Sequence, residues 1–237
     1  MKNRTLANNN TGLIVFSRFN SNRLYGKALR KIGNRPLLGR VIDLAKLVKN
    51  DLPIIVATSN LKSDDVIESF AVSEGVKVFR GSQKNVLKRA VDCCDFYGFK
   101  RFARICGDRP FYSPKLINTL IRIHIKFNLD LATNNLVKTF PNGLTSEVVS
   151  VECLKRILEE ITDKDDCEHV TRFIYRNQKK FKIKNVRSPI SNIKKFNLAV
   201  DTEEDLKRSD WMVKKLPTRK EFDLKVLIGC LKEYKKI

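Results

Sequence analysis

Four short runs rich in β-branched and aromatic residues, at 12–17, 53–57, 76–79 and 102–106, are each followed by a loop and then by a stretch with helical spacing. Strands separated by helices pair through crossovers, so this alternation predicts an α/β fold: a mixed, mostly parallel sheet with helices on both faces. After Pro36, the residues Leu38, Val41, Ile42, Ala45, Leu47 and Val48 predict one apolar helix face. Further helices are predicted over 64–74, ended by Gly75, and over 86–99 and 114–127. Beyond residue 127 the alternation loosens. Strands are expected at 129–133, 147–151, 181–186 and 196–200, and helices over 153–161, 165–177 and the C-terminal stretch, with a break at Leu216 and Pro217. No internal repeat or domain-sized linker interrupts the chain. The expectation is a single domain, 1–237, with an insertion at its edge over about 134–190.

Composition narrows the class. The chain has 237 residues, 42% of them hydrophobic, enough for one sizeable core. Its longest strictly apolar runs, such as 13–16 and 54–57, fall far short of the roughly 20 residues a bilayer crossing needs, so no membrane insertion is expected. Residues 1–10 are polar and Asn-rich, with neither a signal peptide nor an anchor, which makes the cytoplasm the expected compartment. The six cysteines form no C-x-x-C pair and only two histidines are present; buried thiols in a reducing compartment are expected rather than a zinc cluster. Net charge is +21, but it is uneven: residues 1–50 carry eleven Lys/Arg against the single acid Asp43, whereas 51–100 carry seven of each sign. Charge gathered beside one loop suits a small polyanion at least as well as a nucleic acid, and no basic run interleaved with aromatics argues for the latter. A Lys-rich solvated surface is the plainer alternative for the C-terminal excess.

In open α/β sheets ligands bind beyond the carboxyl ends of the strands. After the first predicted strand stand Arg18, Arg23 and Lys27, three cations within ten residues that could wrap several phosphates. An ordinary basic surface loop has the same composition. The loop is not a Walker A sequence, since Ala28 follows Lys27 where Ser or Thr would be needed, and no G-x-G occurs. Asp108 follows the fourth strand and Asp201 the run 196–200. Two strand-end carboxylates near a basic loop would suit Mg²⁺ with phosphate oxygens, although Asp201-Thr202-Glu203-Glu204 also reads as a helix N-terminus. Glu147 and His169 are candidates for contacting a substrate hydroxyl, with an edge-strand acid and a packed helical histidine as the alternatives. His124 and the Cys93-Cys94 pair read as core.

The loop resembles the signature A-R-x-x-S-x-R-L-P-G-K of the cytidylyltransferases that make CMP-activated sugars, matching at Arg18, Ser21, Arg23, Leu24, Gly26 and Lys27. Further matches follow in order: Ala57-Thr58-Ser59, Phe79-Arg80-Gly81-Ser82, Val86-Leu87 with Arg89, Gly107-Asp108-x-Pro110, Phe140-Pro141-x-Gly143-Leu144, Glu147-Val148, Glu168-His169-Val170-Thr171 and Val200-Asp201-Thr202. The branch in view includes the spore-coat-polysaccharide and acylneuraminate types, related to 3-deoxy-manno-octulosonate cytidylyltransferase. The resemblance implies a nucleotide-diphosphosugar transferase fold, Mg²⁺ dependence, CTP and a sugar or sugar-acid acceptor as partners, and a homodimer built through the edge insertion. It implies Arg18, Arg23 and Lys27 on the CTP phosphates, with Ser17, Ser21 and Arg89 also nucleotide-binding. Asp108 and Asp201 would hold the metal, and Ala57, Thr58, Ser59, Arg80 and Ser82 would surround the base. Arg18, Lys27 and Asp108 are the catalytic candidates.

Departures from the pattern fall at Ser17, Asn20 and Tyr25 in the loop and at Asn142 and Thr145 in the acceptor region, where acids are usual. The implied reaction is in-line attack of an acceptor hydroxyl on the α-phosphorus of CTP. Two rivals stand beside it: a glycosyltransferase using a preformed nucleotide sugar, whose D-x-D motif would have to be Asp163-Lys164-Asp165, and a basic nucleic-acid-binding protein.

Overall fold

A computed structural model describes residues 10–216 and 223–234. Its strands are β1 (Thr11–Phe16), β2 (Lys31–Ile32), β3 (Arg35–Pro36), β4 (Ile54–Ser59), β5 (Lys77–Gly81), β6 (Arg101–Cys106), β7 (Leu131–Thr133), β8 (Glu147–Ser150) and β9 (Ile183–Asn185). The helices are α1 (Leu37–Ala45), α2 (Asp65–Ser73), α3 (Val86–Tyr97), α4 (Pro114–Phe127), α5 (Val151–Glu160), α6 (Lys164–Glu168), α7 (Arg172–Arg176), α8 (Glu203–Lys215) and α9 (Leu224–Tyr234).

Seven strands form one sheet in the order β5-β4-β1-β6-β8-β7-β9. β1 pairs in parallel with β4 and β6, placing Leu13 beside Ile54 on one side and Ala103 on the other. From β1 the chain moves outward through β4 to β5, then returns to lay β6 on the opposite side of β1. This reversal leaves a crevice beyond the carboxyl ends of β1 and β6. β8 runs antiparallel to β6 and β7, and β9 is parallel to β7.

The continuous apolar runs are explained by burial on both faces. Leu13 and Val15 pack in one core with Val41 and Ile42 of α1, Ile67 of α2 and Ile117 of α4. Ile14 points the other way, into a core with Leu87 and Cys94 of α3, Leu154 of α5 and Ile174 of α7. Cys93 and Cys94 are both fully buried, as expected. The helix ends obey local rules: Ser113 caps α4 ahead of Pro114, Asn85 caps α3, and Gly98 closes α3 with a left-handed φ of 71°.

Three expectations change. The run 196–200 joins no strand of the sheet. It lies extended over the site end, with Leu198 N–H donating to Asn142 O at 2.8 Å and Val200 N–H to Asp108 O at 2.9 Å. The helix expected over 165–177 is two short ones, α6 and α7, interrupted at His169, whose backbone is extended; Thr171 stands just before α7 with its hydroxyl directed to Glu147. The segment 134–190 does more than extend an edge, since β8 lies inside the sheet between β6 and β7. The N-terminal stretch 1–9 and Pro217 lie outside the described residues.

Candidate active site

The loop after β1 is held from beneath by one buried carboxylate. Asp64 accepts the Phe19 N–H at 2.7 Å and, on its other oxygen, the Thr58 hydroxyl and the Ser59 N–H at 2.9 Å each. Burial alone would raise its pKa, but these hydrogen bonds, with that of the Ser59 hydroxyl, hold it below the usual carboxylate value. Gly26 then turns the chain with φ 64°, a left-handed conformation that costs glycine little, and its N–H returns to Phe19 O at 3.2 Å. The following 3₁₀ turn, Lys27–Leu29, opens with Lys27.

Lys27 Nζ donates to Asp108 Oδ2 at 3.2 Å, Asp201 Oδ1 at 2.9 Å and the Val200 carbonyl at 2.9 Å. Residues 81 and 174 positions away therefore meet on one ammonium. Asp108 is placed by Gly107, whose N–H donates to Phe16 O at 2.8 Å; a Cβ at Gly107 would stand only 3.0 Å from that oxygen and from the Ser17 side chain. Asp201 is placed by the start of α8, where Thr202 and Asp205 form a capping box. The helix-terminus reading of the Asp201 region holds, with a different residue as the cap. Thr202 caps the helix, and Asp201, one position earlier, turns its carboxylate to the cleft, where Arg23 also meets it at 2.8 Å.

These groups line a cleft of about 500 Å³. Ser17, Arg18, Ser21, Arg23, Lys27, Arg89, Asp108, His169 and Asp201 all line it, as the sequence suggests. Arg89 is only 4% exposed, and burial pushes its pKa down to about 10, leaving it a cation at neutral pH. Asn22, Cys106 and Glu168 also line the cleft. Of these, only Glu168 lies in a quoted motif, and its ion pair with Arg18 at 3.7 Å crosses from α6 to the cationic loop, a contact that spacing cannot show.

Other expected residues are elsewhere. Ala57, Thr58, Ser59, Arg80, Ser82 and Glu147 do not line the cleft. Thr58 and Ser59 are tied to Asp64. The Arg80 guanidinium is engaged by Asp65 at 2.6 Å, Glu68 at 2.7 Å and the carbonyls of Ser59 and Leu61. Ser82 receives the Asn85 N–H on its hydroxyl and Arg89 on its carbonyl. Glu147 is buried under a set of donors described below. His124 is buried in α4, and burial pushes it down to about 4. Asp163 caps α6 and meets Arg172 and Arg176, while Asp165 pairs with Arg172, so the D-x-D candidate is engaged in a local ion network.

Hard oxygen donors from the turn after β6 and from the segment just before α8, already sharing one cation, fit a divalent ion that takes one or two carboxylates and completes its shell with phosphate oxygens. Among the described residues no group of three or more His, Cys, Asp or Glu could hold a metal, so phosphate would have to supply ligands here.

A cationic loop, two carboxylates and a buried arginine meet at the switch point of a mostly parallel sheet, and solved structures that share this Rossmann-like fold include a cytidylyltransferase and a nucleotidyl transferase. The family model described as cytidylyltransferase matches residues 13–234. An uncharacterized protein of Methanocaldococcus jannaschii is 36% identical over 214 residues, covering 89% of this chain and 84% of that protein. The spore coat polysaccharide biosynthesis protein SpsF of Bacillus subtilis is 29% identical over 225 residues, 92% of each chain. The structure of a cytidylyltransferase from Leptospira borgpetersenii superposes with a TM-score of 0.90 at 25% identity, covering 95% of both chains. The chain belongs to the cytidylyltransferase family.

Proposed function

We propose that this chain transfers CMP from CTP to a hydroxyl of a sugar or sugar acid, releasing pyrophosphate, for cell-surface polysaccharide synthesis, with Mg²⁺ held by Asp108 and Asp201. The observation that carries this reading is the Lys27 ammonium between the two carboxylates at the mouth of the switch-point cleft. In the reaction the acceptor oxygen forms a bond to the α-phosphorus, the bond to pyrophosphate breaks, and the acceptor proton is lost. Such chemistry needs positioning and charge neutralisation more than a protein nucleophile. Arg18, Arg23 and Lys27 take the triphosphate oxygens and the charge that grows on the leaving group. Asp108 and Asp201 would hold Mg²⁺, which would supply Lewis-acid polarisation of the phosphate. Arg89, buried at the inner wall, contacts the nucleoside end, and His169 faces the acceptor.

The name of the Bacillus subtilis relative supports a polysaccharide precursor as the acceptor class. The family resemblance supports a homodimer, which light scattering on the purified chain tests directly. The six cysteines, all free, suit a reducing compartment where CTP is found.

Thermal denaturation with each of the four nucleoside triphosphates and Mg²⁺ tests the nucleotide. CTP at 100 times its Kd stabilises by about 2.7 kcal/mol. Equal shifts with all four would overturn the choice of CTP. Pyrophosphate release from CTP is then measured across a panel of sugars and sugar acids, including 3-deoxy-manno-octulosonate and N-acetylneuraminate. Release that does not depend on any acceptor would overturn the transfer reaction.

A further inference from the structure

Glu147 is a buried acid outside the cleft that is held by three side-chain donors. It is 4% exposed and opens β8, directly between Arg104 of β6 and Thr133 of β7 in the sheet register. Arg104 Nη1 donates to its Oε2 at 2.8 Å, the Thr171 hydroxyl lies 3.1 Å from both oxygens, and the Tyr175 hydroxyl donates to Oε1 at 2.5 Å. Tyr175 also meets the Thr133 hydroxyl at 2.9 Å. Burial opposes ionisation here, but the Arg104 charge and these donors hold the carboxyl below the ordinary glutamate value.

We infer that Glu147 is a positioning residue that sets the acceptor wall of the cleft through Thr171, without itself touching substrate; the inference rests on the reading of His169 as facing the acceptor. The path is short. Thr171 ends the segment that breaks the helix between α6 and α7, and it forms no side-chain cap of its own because its hydroxyl is directed to Glu147. Two and three residues earlier stand His169 and Glu168, the two cleft residues of this segment. His169 adopts an extended backbone, φ −110° and ψ 94°, at the end of α6. The turn is tethered at its far end by Arg172 and Arg176, which pair with Asp166 and Asp163. Thr171 is buried, and the only carboxylate it meets among the described residues is that of Glu147. A continued helix over 165–177 would have carried His169 to a different azimuth, so the inward pull on Thr171 decides which side chains of the segment reach the cleft. Arg104 supplies the counter-charge that keeps Glu147 an acceptor of both hydroxyls.

The chain contains two histidines, His124 and His169, so histidine-selective isotope labelling gives a two-signal NMR spectrum that reports on the wall directly. Thr171→Val removes the hydroxyl at nearly constant shape, and Thr171→Ser restores it. Thr171→Val is expected to shift or broaden the His169 signal, leave the His124 signal in place and keep CTP affinity within about twofold. Turnover with the best acceptor from the panel above is expected to fall by about tenfold to a hundredfold, the scale of small misplacements near the chemistry. Thr171→Ser is expected to recover both signal and turnover, and Glu147→Gln to behave like Thr171→Val. If Thr171→Val lowers only the melting temperature, with the His169 signal and turnover as in the unaltered protein, or if Thr171→Ser fails to rescue, the inference is overturned. Failure of the underlying reading looks different: His169→Ala would leave turnover unchanged while Thr171→Val still displaced the His169 signal.

Discussion

Two aspartate clusters touch the loop that follows β1, and they use similar partners to opposite ends. Asp64 is 1% exposed and saturated by hydroxyl and backbone donors, with nothing left to offer a ligand. Asp108 and Asp201 are partly open, and their partners are the cations of Lys27 and Arg23, whose own side chain is 67% exposed. Neutral donors inside a fold make a fixed strut, because an ionised acid there cannot release them without a desolvation cost. Arg23, at the solvated rim, can exchange its carboxylate for a phosphate at little cost, since exposed ion pairs are worth little, while Lys27 sits deeper with a side chain 15% exposed. Loop anchor and binding mouth therefore differ in burial and in the kind of donor, rather than in the acid itself.

Substitutions can break that comparison. The largest effect is expected at the mouth: Lys27→Ala should lower CTP-dependent pyrophosphate release by about 10³-fold, roughly 4 kcal/mol of transition-state stabilisation. Its melting temperature should stay within a few degrees, and a large thermal loss instead would make Lys27 another strut. Asp64→Ala should show the reverse balance, with about 3 kcal/mol of stability lost in urea unfolding as four buried donors go unpaired. Because Asp64 has a depressed pKa in the fold, its contribution is fully present above the unfolded carboxylate value and is lost as pH falls below it.

His124 supplies a reference for burial without a compensating partner at the site. Its pKa is pushed down to about 4 by burial and then by the charge of Arg101. The neutral form is favoured in the fold, so stability is undiminished above the unfolded histidine value near 6.5. It falls by about 3 kcal/mol as the pH drops to about 4. The acid limb of the stability curve for His124→Leu, compared with the unaltered chain, should be flatter over that range. The smallest effect is expected at Arg80, whose exposed ion pairs are worth at most about 1 kcal/mol. Arg80→Ala should leave the KM for CTP within about twofold, and a tenfold rise would place Arg80 on the base after all.

The sheet was legible because its first half is locally consistent. Continuous apolar runs buried on both faces, Pro at the start of α4 and Gly75 after α2 all point to the same elements that form. The run 196–200 misled for a physical reason. Apolar β-branched composition reports burial, and this segment is buried under α8 and the 139–144 loop without any ladder partner beyond a bridge of Asn142 with Asn197. The cationic loop and Asp108 were legible as strand-end charges, and Asp201 as an acid at the start of a helix, although the strand expected before it does not form. Thr58, Ser59 and Arg80 were not assignable in the same way, because Asp64 stands five and six positions from Ser59 and Thr58 and engages both, while Arg80 is engaged by Asp65 and Glu68, 15 and 12 positions away, which the fold brings beside it.

The sequence by itself determined most of the elements, the mostly parallel alternation of strand and helix, and the cations and Asp108 that follow strands, since these follow from periodicity, turn residues and chain connectivity. Only the tertiary structure decided which of those charges share a site. Lys27, Asp108 and Asp201 meet across 174 positions because β1 and β6 are neighbours and the 196–200 run lies over their ends. Whether a carboxylate is a strut or a ligand is set by its desolvation and by what donates to it, and those are properties of packing that no local pattern encodes.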